Sequence, residues 1–508
     1  MMRLLFSSAL FLALALAGCG GSATCPSANG AAPVADAPRF VAVASHGSVS
    51  QAILLGVQDS GTTRTAARIT EFDGVSMAQS WLDTRSRWPN MRGRGLGQTP
   101  YLTPAVPLGE VVTIATETSI VQLPIPVTAT PHDAGTAATD AGPNVPLTPT
   151  HWEWIPPELE LPAGTPPPGI ADVVVAPAQN VAFVARGAVG LGGTLIGGEL
   201  FVLDVSSPTS VVPLSTAIDF QPYAEQGLFV AAAGLAVMDG LVFAALDHQT
   251  FDSRVPVYGT GLVAVIDPAT RAVRTVLRIP TLHGCTDIGR YHVPTGVTDP
   301  AGEHRLVVTC RGAAPMTPGA PPVDGGFVYV EYDPAHPETP PAIARTITST
   351  SLGLPRADGG TMTLAGHWVA YVARGIVEPR FQERVIAANL DTGAQQVLAT
   401  TLPANGTSTT GFGPGAFDPE SGVLVVPNGY DGVYAWAMPL DAASVEGFTF
   451  PAPQGIAITG CGHLAVREVR LVPSAGVTVL PGRDAGTPLD DAATIENDAA
   501  VVDVDAGL

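Results

Sequence analysis

A chain of 508 residues has room for several ordinary domains or for one large repetitive one. Hydrophobic residues make up 46% and charged residues 14%, which excludes a wholly disordered chain, while 56 Gly and 48 Pro exclude long helices as the dominant element. The 45 Asp and Glu face 24 basic residues, all of them Arg, and the resulting net charge of -21 argues against a nucleic-acid or anionic-lipid binding surface.

The chain opens with Met1-Met2-Arg3, an apolar stretch from Leu4 to Leu16, and then Leu16-Ala17-Gly18-Cys19. A charged start, a short apolar segment and small residues at the cut make residues 1–18 an export signal. The apolar segment is shorter than the roughly 20 residues a membrane-spanning helix needs. Leu16-Ala17-Gly18-Cys19 resembles the lipobox of bacterial lipoproteins. That resemblance implies that cleavage leaves Cys19 as a lipid-modified N-terminus, with several acyl chains giving stable anchoring. Gly20 stands where members of that family retained in the inner membrane carry Asp, so the resemblance implies the outer membrane. The alternative is an ordinary secretory signal with an incidental Cys. Residues 19–37, small, polar and Pro-containing, suit a flexible tether.

The body is expected over residues 38–473. Its first signal is Ile53-Leu54-Leu55-Gly56-Val57-Gln58-Asp59, followed by Thr65-Ala66-Ala67-Arg68-Ile69. Val75 to Arg85 is the clearest candidate helix, with Asp73 or Ser76 near its start. Arg85, Arg87, Arg92 and Arg94, interleaved with Trp88, form the basic cluster of an acidic chain. Guanidinium forks and an indole face could hold carboxylate or phosphate there, and pairing with surplus Asp and Glu is the plainer reading. Val111-Val112-Thr113-Ile114 and Ile120-Val121-Gln122-Leu123 read as a degraded strand pair. Residues 124–169 are Pro-rich, including Thr165-Pro166-Pro167-Pro168, and read as a surface excursion in which Trp152 and Trp154 are candidates to dock back.

From Gly169 onward a strand, an Asp, a loop and another strand recur. Strands end at Asp204, Asp267, Asp333, Asp391 and Asp441, as the early one ends at Asp59, and further strand pairs precede most of them. Asp at such a strand end is suited to an Asx turn. Leu228 to Leu246 is long and apolar enough to imitate a membrane span, but Asp239-Gly240 within it signals a hairpin of two buried strands. Each unit thus supplies about four short strands, and such a sheet buries both faces only by stacking beside others until the ring closes. The rhythm resembles the broad YVTN- and WD40-like β-propeller class, without a diagnostic Trp-Asp or YVTN tetrapeptide. The fold class is therefore read as an all-β propeller of seven four-stranded blades, six or eight remaining open. Leu464-Ala465-Val466, with Ile456-Ala457-Ile458, is expected to complete the Asp59 blade. Residues 474–508 read as a disordered acidic tail without calcium-loop spacing.

Cys25, Cys285, Cys310 and Cys461 admit three pairings in an oxidising compartment, of which Cys285 with Cys310 is preferred over two buried free thiols. His283, Asp287, Arg290 and His292 are the densest polar set and a candidate ligand site at a channel mouth; satisfied polar groups in a disulfide-held loop are the plainer reading. His46, His367 and His463 stand near strand ends as packing or turn residues. No elbow, zinc, Walker or dinucleotide motif offers catalytic or metal-ligating residues or a cofactor site. The leading functional reading is a lipid-anchored, outer-membrane binding or scaffolding module with a protein or glycan partner. The alternative is a periplasmic propeller enzyme, lactonase-like or quinoprotein-type, and Ca²⁺ enters only under that alternative.

Overall fold

The computed structural model describes strands between Phe40 and Leu471, with side chains described mainly between residues 170 and 450. The segments read as export signal, tether and acidic tail, the Val75–Arg85 candidate helix and the basic cluster lie outside the described residues.

The chain is an all-β propeller, and its strand order shows why. The first sheet takes β1 (Phe40–His46), β2 (Val49–Asp59) and β3 (Arg64–Glu71) from the start of the body, and its fourth strand, β30 (Ala465–Leu471), from the end. β30 pairs antiparallel with β1, from Phe40 opposite Leu471 to Ser45 opposite Ala465, so early and late chain close one sheet. Ala465 and Val466 sit where the sequence places the closure. Gln454–Ile456 instead forms the outer strand of the preceding sheet, which corrects the expectation for Ile456.

The second sheet is β4 (Tyr101–Thr103), β5 (Val111–Ala115), β6 (Ile120–Pro124) and β7 (Glu153–Trp154), so the Pro-rich excursion returns Trp154 to the ladder opposite Ile120. The third contains β8 (Ile170–Ala176), β9 (Val181–Arg186), β12 (Leu200–Asp204) and β13 (Val212–Pro213), with the hairpin β10 (Ala188–Leu191) and β11 (Thr194–Gly197) inserted between its middle strands. An eight-stranded sheet follows: β14 (Phe229–Met238), β15 (Leu241–Asp252), β16 (Val255–Tyr258), β17 (Thr260–Asp267), β18 (Ala272–Arg290), β19 (Arg305–Arg311), β20 (Gly326–Glu331) and β21 (Ala342–Thr348). It is two four-stranded units sharing one strand. Ala272–Ile279 of β18 pairs with β17, whereas His283–Arg290 pairs with β19. Pro280, which cannot donate to a ladder, stands at the changeover. Two sheets complete the set: β22 (Met362–Ala365), β23 (Trp368–Val377), β24 (Arg380–Asn389), β25 (Gln395–Thr401); then β26 (Ala416–Asp418), β27 (Val423–Pro427), β28 (Val433–Ala437), β29 (Gln454–Ile456).

The first strands of these units neighbour one another in an unbroken cycle, β30, β4, β8, β14, the second half of β18, β22, β26 and back to β30. Packing follows from the period of two in a strand. Val242, Ala244 and Leu246 face the core shared with β8 and β9, while Leu241, Phe243 and Ala245, on the other face of β15, enter the core shared with β19 and β20. Leu262, Ala264 and Ile266 of β17 divide from Val263 and Val265 in the same way. A continuous apolar run is what a sheet needs when both faces are covered. The Leu228–Leu246 stretch is the expected hairpin, and Asp239 and Gly240 take φ of 50° and 76°, as a two-residue turn between twisted strands requires.

Inner strands are also clamped by side chains. Asp172 on β8 accepts from its neighbour Val173 N–H at 2.8 Å and from Leu235 N–H on β14 at 2.7 Å. Asp287 on β18 repeats this with Ile288 N–H at 2.8 Å and Met362 N–H on β22 at 3.2 Å. Between the two clamps lies Gly234, where a Cβ would come within 2.8 Å of Asp287 Cα. Only a glycine lets β14 approach β18 so closely.

Candidate functional site

The two ends of the sheets differ. One end carries short, saturated turns. Asp204 accepts from Ser206 N–H at 2.8 Å, Asp267 from Ala269 N–H at 2.8 Å and Asp333 from Ala335 N–H at 2.9 Å, the Asx geometry expected at these strand ends. In the next unit Asn389, two residues earlier than expected, takes that role toward Asp391 and Thr392 N–H, both at 2.9 Å. Asp391 is thereby released to meet His367, Tyr329 and Arg345. Burial pushes the Asp391 carboxyl up, but these partners outweigh it and hold it below the usual range. Arg305, stacked over Tyr291 and Tyr329 at 4.9 and 4.8 Å, pairs with Asp299 and Glu331. Tyr291 reaches His367 across to the next sheet. This network joins neighbouring units.

At the opposite end three hairpins run past their sheets: β10–β11, the β15–β16 extension from Gln249 to Tyr258, and the β23–β24 tip from Ala373 to Arg384. Beneath the second lies a buried polar cluster. It forms because β18 turns there from one unit to the next, bringing His283 opposite both Thr260 of β17 and Arg311 of β19. Cys285 and Cys310, directly opposite in the same ladder, are joined in a disulfide and fully buried.

Asp247, just past the last β15 residue paired with β17, is 7% exposed. Its Oδ2 accepts from Gln249 Nε2 at 2.8 Å and stands 3.5 Å from the Arg311 guanidinium. Burial pushes its carboxyl up, and Arg311 and His248 oppose that only in part. Its Oδ1 is buried without a hydrogen bond, as is His283 Nδ1. Arg311 also donates to Tyr258 Oη at 3.5 Å and lies over that ring. His248 is fully buried; its Nδ1 faces the Thr260 carbonyl at 3.0 Å while Nε2 accepts from Glu225 N–H at 3.0 Å, so both ring nitrogens are engaged. Burial also lowers the pKa of His283, leaving its ring neutral. Gly259 allows the packing, since a Cβ there would lie 2.5 Å from the His248 ring.

The sequence-derived set His283, Asp287, Arg290 and His292 does not converge. His283 belongs to this cluster, Asp287 is consumed in the inter-sheet clamp, and Arg290 at the far end of β18 donates to the Glu303 carbonyl at 3.3 Å. Seven residues of extended strand, roughly 23 Å, separate the first from the third. His292, Cys19 and the set Arg85, Arg87, Trp88, Arg92 and Arg94 lie outside the described residues. Asp247, His248, Tyr258 and Arg311 were missed, though three polar residues in a row, Asp247-His248-Gln249, ending an apolar strand are a visible signal. Among the described residues no group of His, Cys, Asp and Glu is arranged to hold a metal ion.

No protein-family model matches the chain, and no curated protein matches it. Solved structures do. A periplasmic gluconolactonase of Pseudomonas aeruginosa is 12% identical, with a TM-score of 0.46, 86% of this chain and 99% of that one being covered. A putative 6-phosphogluconolactonase of Bacteroides uniformis is 12% identical, with 0.43 and coverage of 86% and 100%; one of Bacteroides fragilis is 10% identical, with 0.45 and coverage of 86% and 98%. The propeller assignment rests on the strand order and the cycle of inner strands.

Proposed function

We propose that this chain is an exported lipoprotein of the outer membrane whose Cys19 anchors a seven-bladed propeller, and that the propeller works as a binding module through the end bearing the long hairpins. The observation that carries the reading is the asymmetry between the ends: one closed by saturated turns, the other raised into hairpins over a cluster with unfilled polar atoms. Loops held on a rigid scaffold are where binding residues concentrate. The blade number is supported by the cycle of seven inner strands. No helix among the described residues is long and apolar enough to cross a membrane; the proposed attachment is the lipid on Cys19. A hydrolase would need carboxylates free at the axis, and the inner-strand carboxylates Asp172 and Asp287 each hold two backbone N–H groups.

Two measurements test this. Cys19→Ala abolishes labelling by a fatty-acid probe in cells; undiminished labelling removes the anchor. Affinity capture from detergent-solubilised envelopes with the Cys19-anchored protein recovers a specific protein or glycan, and recovery is lost when the β15–β16 hairpin is shortened. Specific capture that survives the shortening places binding elsewhere.

A further inference from the structure

The chain enters and leaves the propeller at one end. In each unit that carries a long hairpin, the second and third strands from the axis are joined at the hairpin end: β9 to β12 through β10–β11, β15 to β17 past β16, and β23 to β24 at the tip between Val377 and Arg380. In the first sheet those two strands are β1 and β2, joined where His46 stands opposite Val49. His46 therefore belongs to the hairpin end, and Phe40, at the other end of β1, to the turn end. β2 agrees, since it finishes at Asp59 opposite Arg64, the strand end that Asp204 and Asp267 occupy in later units. β30 runs antiparallel to β1 and brings Leu471 opposite Phe40, so it too leaves at the turn end. Phe40 is fully buried, which fixes the point at which the chain emerges.

From this geometry we infer that the turn end is the membrane-facing side of the propeller and that the hairpin end is presented to the aqueous phase, where it meets a water-soluble partner rather than a lipid surface. The inference deepens the anchored binding-module reading and rests on it, by naming the kind of partner that can reach the site. Twenty residues separate Cys19 from Phe40. A Gly-, Ser- and Pro-containing linker of that length has a root-mean-square reach of about 25 Å. β15 runs for 12 residues from the turn end to its outer tip, roughly 36 Å of extended strand. Laying the hairpins on the bilayer requires the tether to double back over the full height of the body, beyond that reach, whereas the turn end lies beside the point of attachment. Apolar residues at paired hairpin positions, Phe251 with Pro256 and Ile376 with Phe381, invite a lipid-binding role, but dipping those tips into a membrane calls for an attachment point at their own end. The exposed carboxylates of the turn end, such as Glu303, Asp333 and Glu338, repel an anionic headgroup layer only over a screening length of about 8 Å, which the tether spans without turning the body over.

The test is resonance energy transfer with the full-length lipidated protein reconstituted in phosphatidylcholine vesicles whose headgroups carry an acceptor dye. One donor sits at the turn end, on an azide-bearing amino acid that replaces Glu338, and another at a hairpin tip, on the same amino acid replacing Arg254 between β15 and β16. This chemistry leaves the Cys285–Cys310 disulfide untouched. Transfer at least about twofold more efficient from the Glu338 site than from the Arg254 site is the expected result, given a body roughly 36 Å high. Equal transfer from the two sites, or more from the Arg254 site, overturns the inference. Circular dichroism checks that each labelled protein is folded, and a second pair, at Thr270 in the turn after β17 and at Glu378 in the β23–β24 tip, repeats the measurement should a first variant fail to fold. Flotation separates the two levels of the reading. Wild type that floats with the vesicles while Cys19→Ala does not, combined with equal transfer, leaves the anchor standing while the orientation falls. Wild type that fails to float, as Cys19→Ala does, removes the anchor and the inference with it.

Discussion

Replacing Gly234 by Ala tests whether the inner strands are packed as closely as the ring requires. A Cβ at this position would lie 2.8 Å from Asp287 Cα, 3.0 Å from Ile288 N and 3.1 Å from Thr286 O, all backbone atoms that no rotamer change can move. The strands must separate, at about 1–3 kcal/mol for overpacking. Separation also disturbs a clamp on either side: Leu235 N–H donates to Asp172, and Asp287 holds Ile288 and Met362. Losing one charge-assisted bond adds about 1.5–3 kcal/mol. Alanine recovers about 0.5–1 kcal/mol over glycine within a strand. The net expectation is a loss of about 2–5 kcal/mol by those magnitudes. Urea unfolding followed by tryptophan fluorescence reads it, with Gly227→Ala as comparator. Gly227 has φ +80° and no atom within 4 Å of an added Cβ, so that change carries only a backbone cost of about 1–2 kcal/mol. In an Asp172→Ala background the Gly234→Ala cost falls, because one clamp is already gone. A Gly234→Ala loss no larger than that of Gly227→Ala, with full additivity, would refute close inner-strand packing.

The disulfide closes a separation of 25 residues, and restricting the unfolded chain by that loop contributes about 3.5 kcal/mol; Cys285→Ala with Cys310→Ala lowers the urea midpoint accordingly, and an unchanged midpoint refutes it. Asp247 has its carboxyl pushed up by burial, so its ionisation in the folded state costs stability. Below the ordinary carboxylate range both states bind the proton and there is no penalty. The penalty grows as pH rises through the unfolded value to the raised folded one. Unfolding of wild type and Asp247→Asn between about pH 4 and pH 8 therefore shows wild type losing ground as pH rises; the opposite slope would mean that the Arg311 pair outweighs burial. Asn389→Ala frees two N–H groups of a tight turn and costs about 1–2 kcal/mol, whereas Asp391→Asn, at a partly exposed ion pair, costs about 1 kcal/mol or less. Thermal unfolding of the pair reverses this order if Asp391 is the turn residue.

Strand identity was readable because both faces of nearly every strand are covered, which writes unbroken apolar runs such as Leu262 to Ile266 between turn residues. Asx turns at Asp204, Asp267 and Asp333 were readable because that side chain acts two residues away along the chain. Asn389 was missed for the same local reason: Asn and Asp both suit the turn, and Asp391 was the more familiar choice. The closing pair β1 and β30 was half readable, since apolar alternation near Ala465 marks a strand but cannot say which of two nearby strands crosses to the start of the body.

The site was hidden by a different rule. A strand brings every second residue to one face, so neighbours such as His283, Asp287 and Arg290 look like a cluster in sequence yet are strung from one end of a sheet to the other. What brings Asp247, His283 and Arg311 to one end of the sheet is the register of four strands, β15, β17, β18 and β19, with Asp247 36 residues before His283 and Arg311 28 residues after it. Register between such distant strands depends on the whole ladder. The same geometry sets the bend of β18 apart from the other inner strands. Here the outer strand of one unit becomes the inner strand of the next without a loop, so backbone that elsewhere would be solvated is held between two cores. Gly284, at φ +43°, turns the backbone in that passage, and the Cys285–Cys310 disulfide ties it to β19.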